Sequence, residues 1–327
     1  MIPYSFLDLA HVTQDSTYTQ TFQKSVQSAQ CAEEFGYTRY WFAEHHNMES
    51  VASTATPILI GHIAEKTNRI RVGSGGVMLP NHSPLIVAET FGTLASLHPN
   101  RIDLGLGRAP GTDQKTAHYI RPDFLQNAQN FDTRLRELQR FFSIENNQSN
   151  LRAIPAEGVD VPIWILGSST DSAYVASNFG LPYAFASHFA PQQLVHATSL
   201  YQQKSEELGY KPYTMACFNI ILADTEEEAQ RLATSFYRMF LGIIRNERKP
   251  MQPPIETMEG VWTYDEEAYV KQMTAYSFIG TKASVANDIK YVIQKLSLDE
   301  VIVSSPLFNI EDKLKSIQYF AEVMKSM

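Results

Sequence analysis

Short apolar runs alternate with longer amphipathic segments along most of the chain. Residues 4–9, 40–43, 70–79 and 102–106 are apolar runs with the length of buried strands. After the first run, Phe22, Val26 and Ala29 recur at steps of three or four, which predicts a helix that ends near Gly36. The pattern therefore predicts strand–helix units from the beginning of the chain.

The second half of the chain continues this alternation. Residues 162–166, 183–186, 215–222 and 301–303 predict strands five to eight, and residues 83–98, 127–144, 171–179 and 311–324 predict helices. Eight strand–helix pairs indicate parallel strands joined by helical crossovers. An open doubly wound sheet alternates in the same way, but this number of units favours a closed (β/α)8 TIM barrel. We expect residues 1–327 to form one such α/β domain.

One region interrupts the alternation, between the predicted seventh and eighth strands. Residues 223–300 form an insertion, and its stretch 245–260 contains Pro250, Pro253 and Pro254. A long connection after a barrel strand lies on the catalytic face, so a mobile lid is one interpretation. A surface insertion without a catalytic role is the other.

Composition excludes several classes of protein. The 327 residues are 44% hydrophobic, enough for a large core, and the net charge of −8 argues against a nucleic-acid partner. The two cysteines, Cys31 and Cys217, lie too far apart in sequence to suggest a disulfide framework or a zinc site. No apolar run has the length of a membrane span, so we expect a cytoplasmic protein without a membrane partner.

The residues just after each predicted strand are the candidates for chemistry, because barrel active sites lie there. After strand two, Glu44 and His46 should share one side of the chain while His45 points to the other. His45 could act as a general acid or base near neutral pH, or it could be a hydrogen-bonded structural residue. These side chains could also ligate zinc, but no further His or acidic cluster follows later strands, so we predict no metal.

Two glycine-rich segments follow next. Gly75 and Gly76 lie inside the third strand, where glycines mark either a bulge or the close approach of a flat ligand. Arg108 follows the fourth strand among small residues, a setting that suits anion binding but also a surface ion pair. Neither segment matches the dinucleotide or triphosphate fingerprints.

A run of small hydroxyl residues follows strand five. Gly167, Ser168 and Ser169 lead directly into a predicted helix that contains Ser172. Free backbone N–H groups at such a helix start favour phosphate, although Ser169 could simply cap the helix. Together these segments describe an anion cradle, a cationic partner, a glycine-lined slot and an ionisable histidine.

These motifs resemble those of the bacterial luciferase-like flavin monooxygenases. The resemblance spans nearly the whole chain and rests on residues 43–46 (Ala-Glu-His-His), 72–80, 105–108 and 179–182. It is closest to the non-luminescent, single-component members. The resemblance implies a barrel that takes reduced FMN from a separate flavin reductase and uses O2 to oxygenate a small, hydrophobic organic substrate. It also implies a homodimer.

The resemblance assigns roles to particular residues. His45 falls on the catalytic histidine, Glu44 beside it is predicted to be catalytic as well, and Gly75-Gly76 falls on a non-proline cis peptide beside the flavin ring. Phosphate binding falls on Arg108, Ser169 and Ser172, and the predicted cofactor-binding set is completed by Gly167, Ser168 and His188. Ser168 departs from luciferase itself, which carries an acidic residue there, so the phosphate contact must differ in detail.

Two other functions remain open at this point. A deazaflavin-dependent hydride-transfer enzyme could use the same scaffold without oxygen. A flavin-binding protein without catalysis is the second possibility, although His45 argues against it.

Overall fold

A closed barrel of parallel strands forms the centre of the computed structural model, which describes residues 2–327. The strands are β1 Tyr4–Asp8, β2 Arg39–Phe42, β3 Arg71–Met78, β4 Ile102–Gly107, β5 Ile163–Gly167, β6 Tyr183–Phe185, β7 Thr214–Leu222, β8 Ser277–Gly280 and β9 Glu300–Ser304. β1 to β7 pair in chain order, and β9 closes the barrel by pairing with both β7 and β1. The predicted eight-stranded TIM barrel is confirmed.

Helices surround this barrel. They are α1 Tyr18–Glu34, α2 Thr56–Lys66, α3 Pro84–Leu97, α4 Gln114–Ile120, α5 Phe124–Gln129, α6 Phe131–Phe142, α7 Thr170–Asn178, α8 Leu194–Glu207, α9 Glu226–Ile244, α10 Tyr264–Met273, α11 Lys282–Leu296 and α12 Ile310–Ser326. Ser83 occupies the predicted N-cap position of α3 with Pro84 next to it, but its side chain makes no capping hydrogen bond. Among residues 2–327, no helix combines the length and the apolar character needed to cross a membrane.

Two predictions of elements were wrong. The single helix predicted over 127–144 is divided between α5 and α6, because the backbone of Asn130 leaves the helical conformation between them. The insertion is also more ordered than predicted: it contains α9, α10, α11 and the short strand β8, which pairs with the second half of β7. The predicted eighth strand is therefore β9. β8 has only two apolar residues, Phe278 and Ile279, between Ser277 and Gly280, too few to form an apolar run.

Alternate residues of the strands fill two different apolar layers. Phe6, Tyr40 and Phe42 belong to the large core between barrel and helices, and Leu7 and Trp41 belong to a smaller separate cluster. Because successive side chains of a strand point to opposite faces, the smaller cluster lies inside the barrel. Both layers are buried, so packing on both faces holds the strands in place and positions side chains at the rim.

A buried charge network ties the strands together. The Arg39 guanidinium donates to Asp103 at 2.9 Å and to Glu300 at 2.8 Å, and both carboxylates are fully buried. Arg71 binds the other oxygen of Asp103 at 2.6 Å, and the Ser5 hydroxyl donates to Glu300. The network links β1, β2, β3, β4 and β9, so pairs of opposite charge replace the water that these groups lose on folding.

Replacement of Arg39 by leucine should test this network. Arg39→Leu leaves two buried carboxylates without their shared cation, so we expect the free energy of unfolding to fall by about 3–5 kcal/mol. Urea unfolding followed by circular dichroism measures the change. The exposed Arg69 provides the control, and Arg69→Leu should change stability by at most about 0.5 kcal/mol. Equal effects of the two substitutions would contradict the role given to the network.

Candidate functional site

A cavity of about 250 Å³ opens at the carboxyl end of the barrel. Three histidines line it: His11 follows β1, His45 follows β2 and His188 follows β6. The far wall is apolar and comes from α9 and α10, with Met239, Phe240, Ile243 and Met273. The cavity therefore lies on the face where barrel enzymes place their active sites.

The three imidazoles are neutral at physiological pH. Each is partly open to the cavity but otherwise surrounded by protein. Burial lowers the pKa of His45 to about 4; Glu44 opposes this shift, while His46 and Arg248 add to it. Burial likewise lowers the pKa of His11 to about 4 and that of His188 to about 3. A neutral imidazole can both accept and donate a proton, as acid–base work requires.

His45 and His188 also have unused hydrogen-bonding capacity. Their Nδ1 atoms are buried, and no group of the described chain is bonded to either one. Buried polar atoms normally find partners, so these two are candidates for contact with a bound molecule. Both belong to the set predicted from the sequence.

Glu44 lies beside this cavity without lining it. Its buried carboxylate accepts hydrogen bonds from His46 Nε2 at 2.9 Å, His82 Nε2 at 2.9 Å and the Met78 backbone N–H at 3.0 Å. Burial acts to raise the pKa of Glu44, but these hydrogen bonds lower it to about 2. Glu44 and His46 share one side, as the strand alternation predicted. Because its contacts join the ends of β2 and β3, Glu44 holds the frame in which His45 sits.

The two glycines of β3 lie at a bulge. The register between β3 and β4 shifts between Ser74 and Val77, and the Gly75–Gly76 peptide is cis, as the resemblance implied. A Cβ at Gly76 would come within 2.6 Å of the Gly105 carbonyl oxygen, and one at Gly75 would meet the Leu7 side chain at 2.7 Å. The structure thus shows the bulge. Contact with backbone atoms is enough to require glycine at Gly76, whereas a side chain at Gly75 would have to displace the end of the Leu7 side chain.

The predicted phosphate residues come together at the start of α7. Arg108, at the end of β4, forms a 2.7 Å ion pair with Asp171 in the first turn of α7, so it is also the surface ion pair that the sequence allowed. The Ser172 hydroxyl donates to the Ser169 carbonyl at 2.7 Å and pairs with the Tyr183 hydroxyl at 2.9 Å. Ser169 occupies the N-cap position without a side-chain capping bond, so its hydroxyl is not used for the helix.

Gly167 belongs to the same cluster for a steric reason. A Cβ at Gly167 would lie 2.1 Å from the Ser172 hydroxyl oxygen, closer than any real contact. Only glycine lets the end of β5 approach the first turn of α7 so closely. Gly167 therefore sets where the N-terminus of α7 begins.

Sequence reasoning missed His11 and the residues of the insertion that reach the cavity. His11 lies after β1 in the same way that His45 lies after β2, and this position was the available signal. Arg248 and Lys249 of the insertion line the cavity. Nothing in their local sequence indicated this contact, because it depends on how the insertion folds back.

Residues 245–260, for which the sequence allowed either a lid or a surface insertion, contribute Arg248 and Lys249 to the cavity lining and are hydrogen-bonded to the loop after β1. The Met251 N–H donates to the Val12 carbonyl at 2.8 Å, and the Gln14 N–H donates to the Met251 carbonyl at 2.9 Å. Met251 is buried. The stretch thus forms part of the cavity wall in this structure.

Comparison with known proteins identifies the family. The family model described as luciferase-like monooxygenase matches residues 2–300. The chain belongs to the luciferase-like monooxygenase family. It is 46% identical to the uncharacterized protein YvbT of Bacillus subtilis, with 98% of this chain and 96% of that one covered. It is 42% identical to a luciferase-like monooxygenase of Escherichia coli K12, with 100% and 98% covered. The crystal structure of apo-MsnO8 has a TM-score of 0.92 at 28% identity, covering 100% and 99%.

A more distant relative and two structures that share the fold carry names that give different substrates and cofactors. An N-acetyl-S-alkylcysteine monooxygenase of Bacillus subtilis is 31% identical, with 99% of this chain and 98% of that one covered. The fold is shared with the oxygenating constituent of 3,6-diketocamphane monooxygenase of Pseudomonas putida in complex with FMN, at TM-score 0.78 and 15% identity, covering 98% and 97%. It is also shared with an F420-dependent secondary alcohol dehydrogenase, at TM-score 0.71 and 13% identity, covering 99% and 98%.

The described residues contain no candidate metal site. Within residues 2–327, no group of three or more His, Cys, Asp or Glu side chains is arranged to hold a metal ion.

The anchoring role of Glu44 predicts a pH-dependent loss of stability. The pKa of this carboxyl falls from 4.5 to about 2 on folding, which corresponds to about 3 kcal/mol at neutral pH at about 1.4 kcal/mol per pKa unit. Because the folded-state value is the lower one, the contribution is complete well above pH 4.5 and is lost as the pH falls towards 2. Glu44→Gln should therefore destabilise the protein most near neutral pH, and the difference should shrink below pH 4.5.

Urea unfolding of both proteins across this pH range measures the effect. The exposed Glu49 lies close by in sequence, and Glu49→Gln should leave stability nearly unchanged at every pH. A Glu44→Gln penalty that does not vary with pH would show that the carboxylate charge is not what stabilises this corner.

Proposed function

We propose that the protein is a flavin-dependent monooxygenase that uses reduced FMN and O2 to oxygenate a small organic substrate with an apolar body. The observation that carries the proposal is the position of His45. Its neutral imidazole faces an apolar cavity with a free buried Nδ1, and the Arg108–α7 cluster lies on the same barrel face.

The residues present are compatible with FMN. Its phosphate would be held by Arg108, the backbone N–H groups at the start of α7, and the hydroxyls of Ser168 and Ser169, with Gly167 and Ser172 fixing the helix start. The helix dipole and the guanidinium both favour a dianion there. Arg108 is paired with the Asp171 carboxylate, so a phosphate would have to displace that carboxylate. Gly75, Gly76 and His188 would hold the flavin ring.

The proposed overall reaction consumes one reduced flavin, one O2 and one substrate molecule per turnover. Reduced FMN supplies two electrons and two hydrogens; one oxygen atom enters the substrate and the other leaves as water. A separate flavin reductase would regenerate the reduced flavin.

The chain itself would contribute a dry cavity and a positioned imidazole. The apolar wall of α9 and α10 and the stretch 245–260 would keep water from the reacting atoms. His45 would transfer a proton at the substrate or oxygen, which its low pKa and free Nδ1 permit. Glu44 would act as a positioning residue, because its hydrogen bonds fix the strand ends on which His45 depends.

Anaerobic binding followed by exposure to oxygen tests the proposed function. We expect reduced FMN to bind more tightly than oxidised FMN, and ¹⁸O2 to deliver one labelled atom to an added thioether, aldehyde or ketone, detected by mass spectrometry. His45→Ala should keep flavin binding but lose about 100-fold in labelled product, the usual contribution of a general acid or base. Tight binding of reduced deazaflavin with no binding of FMN would contradict the proposal and favour hydride transfer.

Arg108 provides an independent test of where the flavin phosphate binds. Arg108→Ala should weaken FMN binding about tenfold or more, since a hydrogen bond to a charged group contributes about 1.5–3 kcal/mol. Riboflavin, which lacks the phosphate, should bind the native protein and the variant equally. Fluorescence titration measures both ligands, with Arg69→Ala as a control. An equal loss for FMN and riboflavin would place Arg108 away from the phosphate.

A further inference from the structure

We propose that the cavity binds a small amphipathic carboxylate, with its apolar chain against α9 and its carboxylate held by Arg248. This inference rests on the proposed function in one respect: it takes the cavity as the substrate's place, with the flavin on the other side of His45.

The cavity is distinct from the flavin-binding residues. Of the residues assigned to FMN, only His188 lines it, and Gly75, Gly76, Arg108 and the start of α7 do not. His45 and His188 thus form the boundary between two regions of the barrel face. A molecule in the cavity would present its reactive atom at this boundary.

The residues that line the cavity favour a ligand with an apolar body. Apart from the histidines, most of its side chains are aliphatic, aromatic or thioether groups, which include Leu9, Met48, Val51, Met239, Phe240 and Ile243. Flexible thioethers adapt to chains of different shape. Most of the binding free energy would come from apolar surface removed from water.

The charges at the cavity have one sign. Its only charged lining residues within the described chain, the histidines aside, are Arg248 and Lys249. Lys249 already pairs with Glu247 at 3.1 Å. Arg248 is exposed, and no described carboxylate lies within salt-bridge distance of it; its Nη1 donates to the Met48 sulfur at 3.9 Å. A negatively charged partner for Arg248 is therefore missing at the mouth of the cavity.

Arg248 is suited to a carboxylate and is held near the mouth. Its planar guanidinium can bind both carboxylate oxygens at once, which the Lys249 ammonium cannot. Three residues later, Met251 is bonded on both sides to the loop after β1, so the segment that carries Arg248 cannot swing away freely. An acid whose chain fills the cavity would place its head group at this guanidinium.

Calorimetric titration of the flavin-free protein with octanoate and octanamide tests the inference, because the two ligands have similar shape and differ in charge. We expect native protein to bind octanoate about tenfold more tightly. Arg248→Gln should abolish this preference and leave octanamide affinity unchanged. Arg245→Gln is the matched control: Arg245 pairs with Glu266 and does not line the cavity, so the preference should remain. Ile243→Trp, which fills the cavity, should weaken both ligands.

Each other result would overturn the proposal. Equal affinity of the native protein for octanoate and octanamide would show that the cavity has no anion site. No binding of either ligand would show that it has no site for an apolar chain. A preference that survives Arg248→Gln would exclude Arg248 as the anion's partner. These titrations contain no flavin, so a failure to bind FMN in a separate titration would contradict the monooxygenase proposal alone.

Discussion

The buried ionic interaction of the Arg39 guanidinium with the carboxylates of Asp103 and Glu300 is the one on which the barrel depends most. It joins strands that are far apart in sequence, and it does so inside the barrel, where a lone charge could not remain. Each partner is acceptable there only because the others are present, so the register of β2, β4 and β9 is fixed together. With one end of the barrel specified in this way, the opposite end is free to carry loops that bind and react.

The active-site end is organised by a second buried carboxylate with a different task. Glu44 gathers two imidazoles and one backbone N–H at the junction of β2 and β3. Its negative charge also raises the pKa of His45, against the stronger lowering by burial. A residue that looks catalytic in the sequence thus has contacts of a structural kind, and its neighbour one position later faces the cavity. Strand alternation explains both placements, because adjacent residues point to opposite sides.

Much of the fold and part of the site could be predicted from the sequence, for identifiable reasons. All eight barrel strands are apolar runs bounded by turn residues, and parallel strands bring their carboxyl ends to one rim, so His45, Arg108 and the start of α7 could be placed there together. The short strand β8, which lies outside the closed barrel, could not be found, because only two of its four residues are apolar. Arg248 could not be assigned to the cavity either. Its place depends on hydrogen bonds between Met251 and the loop after β1, which are backbone contacts that leave no trace in side-chain pattern.

The cavity and the histidines depend on each other electrostatically. The protein atoms that bury His11, His45 and His188 around the cavity also keep these imidazoles neutral, because burial disfavours the charged form. Neutral imidazoles then leave Arg248 and Lys249 as the local positive charges, and Arg248 lowers the pKa of His45 further. An anion bound at Arg248 would weaken that effect, whereas the apolar chain of the same ligand would add to the burial that lowers the His45 pKa. Under the proposed substrate class, occupancy of the cavity would therefore adjust the basicity of the residue proposed to move the proton.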